Sequence, residues 1–153
     1  MFLLNTDALS LTNTATGNET EAVMVWRHWV VTNQDALYLS VVTLMEVRFG
    51  IEKCLSKGAT RKAAALGKWL VAAEAAYRGC ILPVTAEMAH RAGALLWSAI
   101  ASGIAPSSED ALVAATADIR DFAVISRNVR HMAALNVRCF DPLEGDLPSR
   151  FGN

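Results

Sequence analysis

Short apolar runs alternate with longer stretches of helical period along this chain, and that alternation leaves few folds open to it. The runs are Phe2-Leu3-Leu4, Ala36-Leu37-Tyr38-Leu39-Ser40, Cys80-Ile81-Leu82-Pro83-Val84, Phe122-Ala123-Val124-Ile125 and Val137-Arg138-Cys139-Phe140. Each is too short for a helix, is bounded by polar or turn-forming residues, and reads as a buried strand. Pro83 has no backbone donor, so the third run is an edge strand or ends there. Helices are expected over 19–32, from Thr43 to Leu55, over 61–77, over 86–102 and from Pro106 to Asp118. Strands separated in this way imply βαβ units. The expected fold is α/β: a three-layer sandwich with a mostly parallel central sheet of four to five strands and helices on both faces. It forms one domain over 1–142, followed by a loosely ordered tail over 143–153.

The helical stretches carry their own signals. Val23, Val25, Trp26, Trp29 and Val30 give the first a broad apolar face, and Leu44, Val47, Ile51, Cys54 and Leu55 form a stripe on the second. Residues 11–18 read as a loop. Met88, Ala92, Leu95, Leu96 and Ile100 are expected to face inward from the helix over 86–102. In the last stretch, Ser107 or Ser108 is a plausible N-cap, and Asp110 lies in the first turn ahead of an alanine-rich, close-packing surface. Asp110 there either complements the helix dipole or serves a site. Glu46 stands three residues after Thr43, in capping-box spacing, so it too has a local alternative to a functional role.

Composition bears on partners. The chain is 53% hydrophobic and only 19% charged, which suggests a buried sheet and a subunit interface, hence a homodimer or larger assembly. A net charge of −1 announces no nucleic-acid partner. No stretch approaches the roughly 18 apolar residues of a membrane span. The opening Met1-Phe2-Leu3-Leu4-Asn5 turns polar too early for a signal peptide. Cys54, Cys80 and Cys139 are scattered and unpaired in pattern, and read as reduced core residues of a cytoplasmic protein.

In a parallel sheet flanked by helices, ligands collect outside the carboxyl ends of the strands. Asn5 and Asp7 follow the first run, Asn128 follows the fourth, and Glu46 and Asp110 begin helices that can point to the same edge. Two carboxylates with neighbouring polar residues suit a hard divalent cation, Mg²⁺ or Mn²⁺.

The motifs resemble those of the PIN-domain ribonucleases, and within them the VapC-type toxins of bacterial toxin–antitoxin pairs. The family pattern Leu-Leu-Asp-Thr-Asn-x-Leu-Ser is answered by Leu3-Leu4-Asn5-Thr6-Asp7-Ala8-Leu9-Ser10. Leu-Ser-x-x-Thr-x-x-Glu-hydrophobic-x-x-Gly is matched by Leu39-Ser40-Val41-Val42-Thr43-Leu44-Met45-Glu46-Val47-Arg48-Phe49-Gly50. Asp-x-x-Ile/Val-Ala-Ala-Thr-Ala is matched by Asp110-Ala111-Leu112-Val113-Ala114-Ala115-Thr116-Ala117, and Thr/Ser-Arg-Asn/Asp by Ser126-Arg127-Asn128. Each motif alone is weak; four in order, spanning Met1 to Pro142, carry the resemblance.

The resemblance implies a PIN-like sandwich that cleaves RNA with Mg²⁺ or Mn²⁺, forms homodimers and is neutralised by an antitoxin protein. Its site would draw on Glu46, Asp110, Asn5, Asp7 and Asn128, with Glu46, Asp110 and Asn5 on the metal. Arg127, Arg130 and Thr6 are the candidate substrate contacts, although paired arginines are equally an ordinary solvated surface. The helices around Trp26 and Trp29 and over 61–77 are candidate partner surfaces, with core packing the alternative. The chain departs from the pattern where charge matters most. Asn5 stands in place of the usual aspartate and Asp7 in place of an asparagine. The last motif reads Arg127-Asn128-Val129-Arg130-His131-Met132, without the acid that normally follows Arg-Asn-x-x or directly follows the arginine. His131 is either a tolerated loop residue, a softer ligand or a proton carrier. Fewer carboxylates weaken a divalent site, so slow cleavage, or a protein that binds RNA or a partner without cutting, is the other implied outcome. A phosphohydrolase using an Asp-x-Asp loop is the third reading, but it needs a nucleophilic carboxylate that Asn5 lacks.

Overall fold

The computed structural model describes residues 1–17, 19–144 and 147–148. Five strands form one all-parallel sheet: β1 (Phe2–Leu4), β2 (Leu37–Ser40), β3 (Ile81–Leu82), β4 (Ala123–Ile125) and β5 (Cys139–Phe140), in the order β3-β2-β1-β4-β5. The helices are α1 (Thr6–Ser10), α2 (Glu21–Thr32), α3 (Val41–Ser56), α4 (Thr60–Ala76), α5 (Ala86–Ala101), α6 (Ser108–Arg120) and α7 (Val129–Ala134). β1 lies in the middle of the sheet, with Leu4 level with Leu39 of β2 and Ile125 of β4. β3 is an edge strand that stops before Pro83, as a residue without an N–H requires.

The strands are apolar throughout because both sheet faces are covered. Side chains alternate across the sheet, so Leu3 and Val124 enter one core with Ala92, Leu95 and Ala99 of α5 and the alanines of α6. Phe2, Leu4, Leu37, Leu39 and Ile125 enter the other, with Ala8 and Leu9 of α1 and Trp26 of α2. A third cluster joins α3 to α4 through Val47, Ile51, Ala63 and Leu70. Ala111, Ala114, Ala115 and Ala117 of α6 are at most 1% exposed, so the helix backbone rides close to the sheet. That proximity carries Asp110 to the strand ends.

Several local expectations change. Ser40, not Thr43, caps α3: its Oγ accepts from Val42 N–H at 3.2 Å. Thr43 instead donates its hydroxyl to the Leu4 carbonyl at 3.3 Å, pinning α3 to β1. The capping-box reading of Glu46 therefore fails, because the helix begins three residues earlier and leaves that carboxylate free to reach elsewhere. Ile100 and Leu55 are exposed, and so is Val25. On α5 the buried line runs Met88, Ala92, Leu95, Ala99, which turns the neighbouring Ile100 out of the core. Residues 14–16 form a 3₁₀ turn within the expected loop. Trp26 is a core residue: it is fully buried, donates its indole N–H to the Ala8 carbonyl at 3.1 Å and stacks on Trp29.

Trp29 donates to the Pro148 carbonyl at 3.1 Å, and Leu143 and Leu147 pack on the same core. Residues 145–146 and 149–153 of the expected tail lie outside the described ones. The three cysteines are free. Among the described residues, no helix is long and apolar enough to cross a membrane.

Candidate functional site

Parallel register brings the residues after β1 and β4 out at one edge. Asn5 N–H donates to the Ile125 carbonyl at 3.0 Å, the last rung of the ladder, and the chain then turns into α1. Asn5 is the N-cap of that helix, its Oδ1 accepting from Thr6 N–H at 2.9 Å. The other end of the amide points inward: Nδ2 donates to Asp110 Oδ1 at 3.4 Å and to Ser126 Oγ at 3.3 Å. Asp110 arrives from the first turn of α6, where the Ser107 hydroxyl accepts its backbone N–H at 3.0 Å. A capped start fixes the carboxylate in place.

The second oxygen of Asp110 meets the segment that follows β4. Asn128 Nδ2 lies 3.1 Å from Asp110 Oδ2, and His131 Nδ1 lies 3.0 Å from that oxygen. Asn128 and His131 are themselves 2.7 Å apart. Asn128 occupies the N-cap position of α7 yet makes no side-chain cap, because its amide is committed to this cluster. The Asp110 side chain is 13% exposed and that of His131 33%, so a small ligand reaches both from solvent.

Glu46 of α3 closes the group from another side, accepting a short hydrogen bond from the Thr6 hydroxyl. Burial holds its carboxyl above the ordinary 4.5, against the opposing pull of Thr6, and the negative charges of Asp110, Glu109 and Asp7 add to the rise. Asp7 does not join the cluster through its oxygens. One accepts from Ala8 N–H at 2.7 Å, the other from Ser126 Oγ at 3.1 Å and Arg127 N–H at 2.8 Å. Asp7 thus clamps the loop after β4 onto the start of α1. Arg127 and Arg130 are exposed beside this loop.

The tertiary structure therefore brings Asn5, Asp110 and Asn128 into one hydrogen-bonded group, with Thr6 and Glu46 adjoining and Asp7 behind. Two participants carried little weight in the sequence. Ser126 is buried and is the hub of the loop, accepting from Asn5 and from Asn128 N–H at 3.0 Å while donating to Asp7. Its signals were a hydroxyl residue directly after a strand and its place at the head of the Ser126-Arg127-Asn128 motif. His131 stood in the sequence only as a departure in the last motif, where the usual acid is missing. Among the described residues no three His, Cys, Asp or Glu side chains gather into a metal-holding group. The reason is visible: Asn5 and Asn128 place amides where a carboxylate would complete such a set.

A family model described as PIN domain matches residues 15–135. FitAcB from Neisseria gonorrhoeae is similar in structure, with 26% identity, a TM-score of 0.78, and coverage of 93% of this chain and 98% of that one. DNA-bound VapBC from Salmonella typhimurium shares 22% identity with a TM-score of 0.71, covering 92% of this chain and 97% of that one. A toxin–antitoxin complex from Klebsiella pneumoniae shares 20% identity with a TM-score of 0.53, covering 94% and 99%. The last two likenesses speak to the fold alone. No curated protein matches the sequence.

Proposed function

The chain belongs to the PIN domain family, and we propose that it is the toxin of a VapC-type toxin–antitoxin pair, a cytoplasmic divalent-metal-dependent endoribonuclease. The observation that supports this best is the convergence of Asn5, Asp110, Asn128 and His131, with Thr6 and Glu46 beside them, at the carboxyl edge of the sheet. Membership of the PIN domain family and similarity to FitAcB support an antitoxin as partner. The apolar composition supports a homodimer.

The donor set fits a divalent cation. Glu46 and Asp110 supply the negative charge; burial raises the Glu46 carboxyl above its ordinary value, and the nearby charge of Asp110 adds to that rise. Mg²⁺ or Mn²⁺, when bound, supplies a water of lowered pKa and neutralises charge on the phosphodiester. The chain's own residues do the rest. Asp110 and Glu46 would hold the ion, while Asn5 and Asn128 orient Asp110 and Asp7 fixes the loop that carries Asn128. The exposed guanidinium groups of Arg127 and Arg130 take RNA phosphates. Single-stranded RNA is the substrate class, since its backbone is open to an edge site.

A second reading has one observation in its favour. Asn5 turns an N–H donor toward Asp110, so part of the charge a cation would neutralise is already answered within the protein. On that reading the chain binds RNA or its antitoxin without cutting. Incubating the purified protein with unstructured and structured RNA, in Mn²⁺, Mg²⁺ or chelator, separates the two. Metal-dependent cleavage abolished by Asp110→Asn is the expected result. Intact RNA under every condition, together with unimpaired growth of a bacterial host on induction, rules out the toxin nuclease.

A further inference from the structure

We infer that Asp110, Asn128 and His131 form one face of a metal site that prefers a borderline transition ion, such as Co²⁺ or Zn²⁺, to Mg²⁺. Three side-chain atoms form a triangle. Asp110 Oδ2, the Asn128 side-chain amide and His131 Nδ1 stand 3.1, 2.7 and 3.0 Å from one another. While Asp110 is a carboxylate, no placement of hydrogens satisfies all three edges. With Asn128 Nδ2 inward, its two hydrogens serve Asp110 and His131, but the carboxylate and imidazole lone pairs then oppose each other at 3.0 Å. Moving a proton to Nδ1 mends that edge and sets donor against donor at 2.7 Å.

The amide oxygen and nitrogen are exchangeable by a half-turn of the side chain, and the hydrogen-bond pattern alone assigns them. Turned with its oxygen inward, Asn128 completes three converging lone pairs. A proton on Nδ1 in that arrangement still leaves the two oxygens facing at 3.1 Å. A cation satisfies all three groups together. Ligand bonds of about 2.1 Å place adjacent octahedral ligands about 3.0 Å apart, which is the size of this triangle. The partial exposure of Asp110 and His131 leaves the opposite face open for water or a phosphate oxygen.

The identity of the ion follows from the donors. An imidazole nitrogen among oxygens favours Co²⁺, Ni²⁺ or Zn²⁺ over Mg²⁺, which selects oxygen and holds its waters. This site deepens the metal-dependent reading above, resting on it for the location of the site, and binding is measured without RNA.

The full-length protein, stripped with chelator, is titrated with Co²⁺, Mn²⁺ and Mg²⁺ separately by calorimetry, with the visible spectrum followed for Co²⁺. One Co²⁺ per chain is expected, held at least about tenfold more tightly than Mg²⁺. His131→Ala and Asn128→Ala should each weaken Co²⁺ by about tenfold or more while far-ultraviolet circular dichroism stays unchanged. Should either variant fail to fold, His131→Asp carries the test: its all-oxygen set should reverse the preference toward Mg²⁺. Equal affinity for Co²⁺ and Mg²⁺, absence of binding, or Co²⁺ binding indifferent to His131 overturns the proposal. Co²⁺ binding without RNA cleavage supports this site and defeats the nuclease reading. Cleavage with no response to His131→Asp does the reverse.

Discussion

The carboxylate of Asp7 accepts the backbone N–H of Arg127 at 2.8 Å, joining the first turn after β1 to the loop after β4 across 120 residues of sequence. The acid that the sequence carries two residues late thus tethers these two segments. Ser126 Oγ adds a second bond to the same oxygen. Through this tether the position of Asn128 depends on Asp7.

Asp7→Ala should therefore destabilise the protein by about 1.5–3 kcal/mol, the range for hydrogen bonds to a charged group. Urea denaturation followed by circular dichroism measures it. Metal affinity should fall as well, since the loop bearing Asn128 and His131 loses its anchor. Unchanged stability and unchanged metal binding would show that the tether is incidental.

Asn5→Asp removes a donor from Asp110 and adds a second negative charge beside it. In chelator the variant should be less stable than the natural protein by about 1–3 kcal/mol. Mn²⁺ at about one hundred times its dissociation constant should return about 2.7 kcal/mol. Thermal unfolding with and without Mn²⁺ reads both effects. A melting temperature indifferent to both the substitution and the ion would mean Asn5 does not face the site charge.

Glu46 supplies a prediction about pH. Its carboxyl is raised above 4.5 in the folded protein, chiefly by burial and next by nearby acids. The folded state then holds this proton more tightly than the unfolded chain. Its contribution favours folding most at low pH and is lost as pH climbs from about 4.5 through the raised value. Glu46→Gln keeps an oxygen for the Thr6 hydroxyl and removes the ionisation. The variant should melt higher than the natural protein at neutral pH, with the difference shrinking toward pH 4. A lower melting temperature at neutral pH would sink this account, and metal binding should weaken regardless.

Ala114 is fully buried in α6, one turn beyond Asp110. Ala114→Leu inserts side-chain volume between that helix and the sheet and should cost about 1–3 kcal/mol. Because α6 is pushed outward, Asp110 should move away from Asn128 and His131 and Co²⁺ affinity should drop. A variant that is destabilised yet binds Co²⁺ normally would separate the packing of α6 from the placement of Asp110.

Strand runs such as Phe2–Leu4 and Ala123–Ile125, the helical stripes and Pro83 as a strand end were legible in the sequence. Local periodicity and backbone chemistry express themselves within a few residues. Asn5, Asp110 and Asn128 were legible as candidates because strand ends and helix starts in a parallel sheet share an edge. The partners of those side chains were not. Glu46 read locally as half of a capping box and proved to bond Thr6, because α3 starts at Val41 and Thr43 is drawn to the Leu4 carbonyl. Ser126 and His131 gained their roles only from groups more than twenty residues away, or from one turn of a helix too short to show a period. Sequence spacing determines which face a residue occupies. Which atom it touches depends on the register between strands and the depth at which α6 sits, and both are decided by packing across the whole sheet.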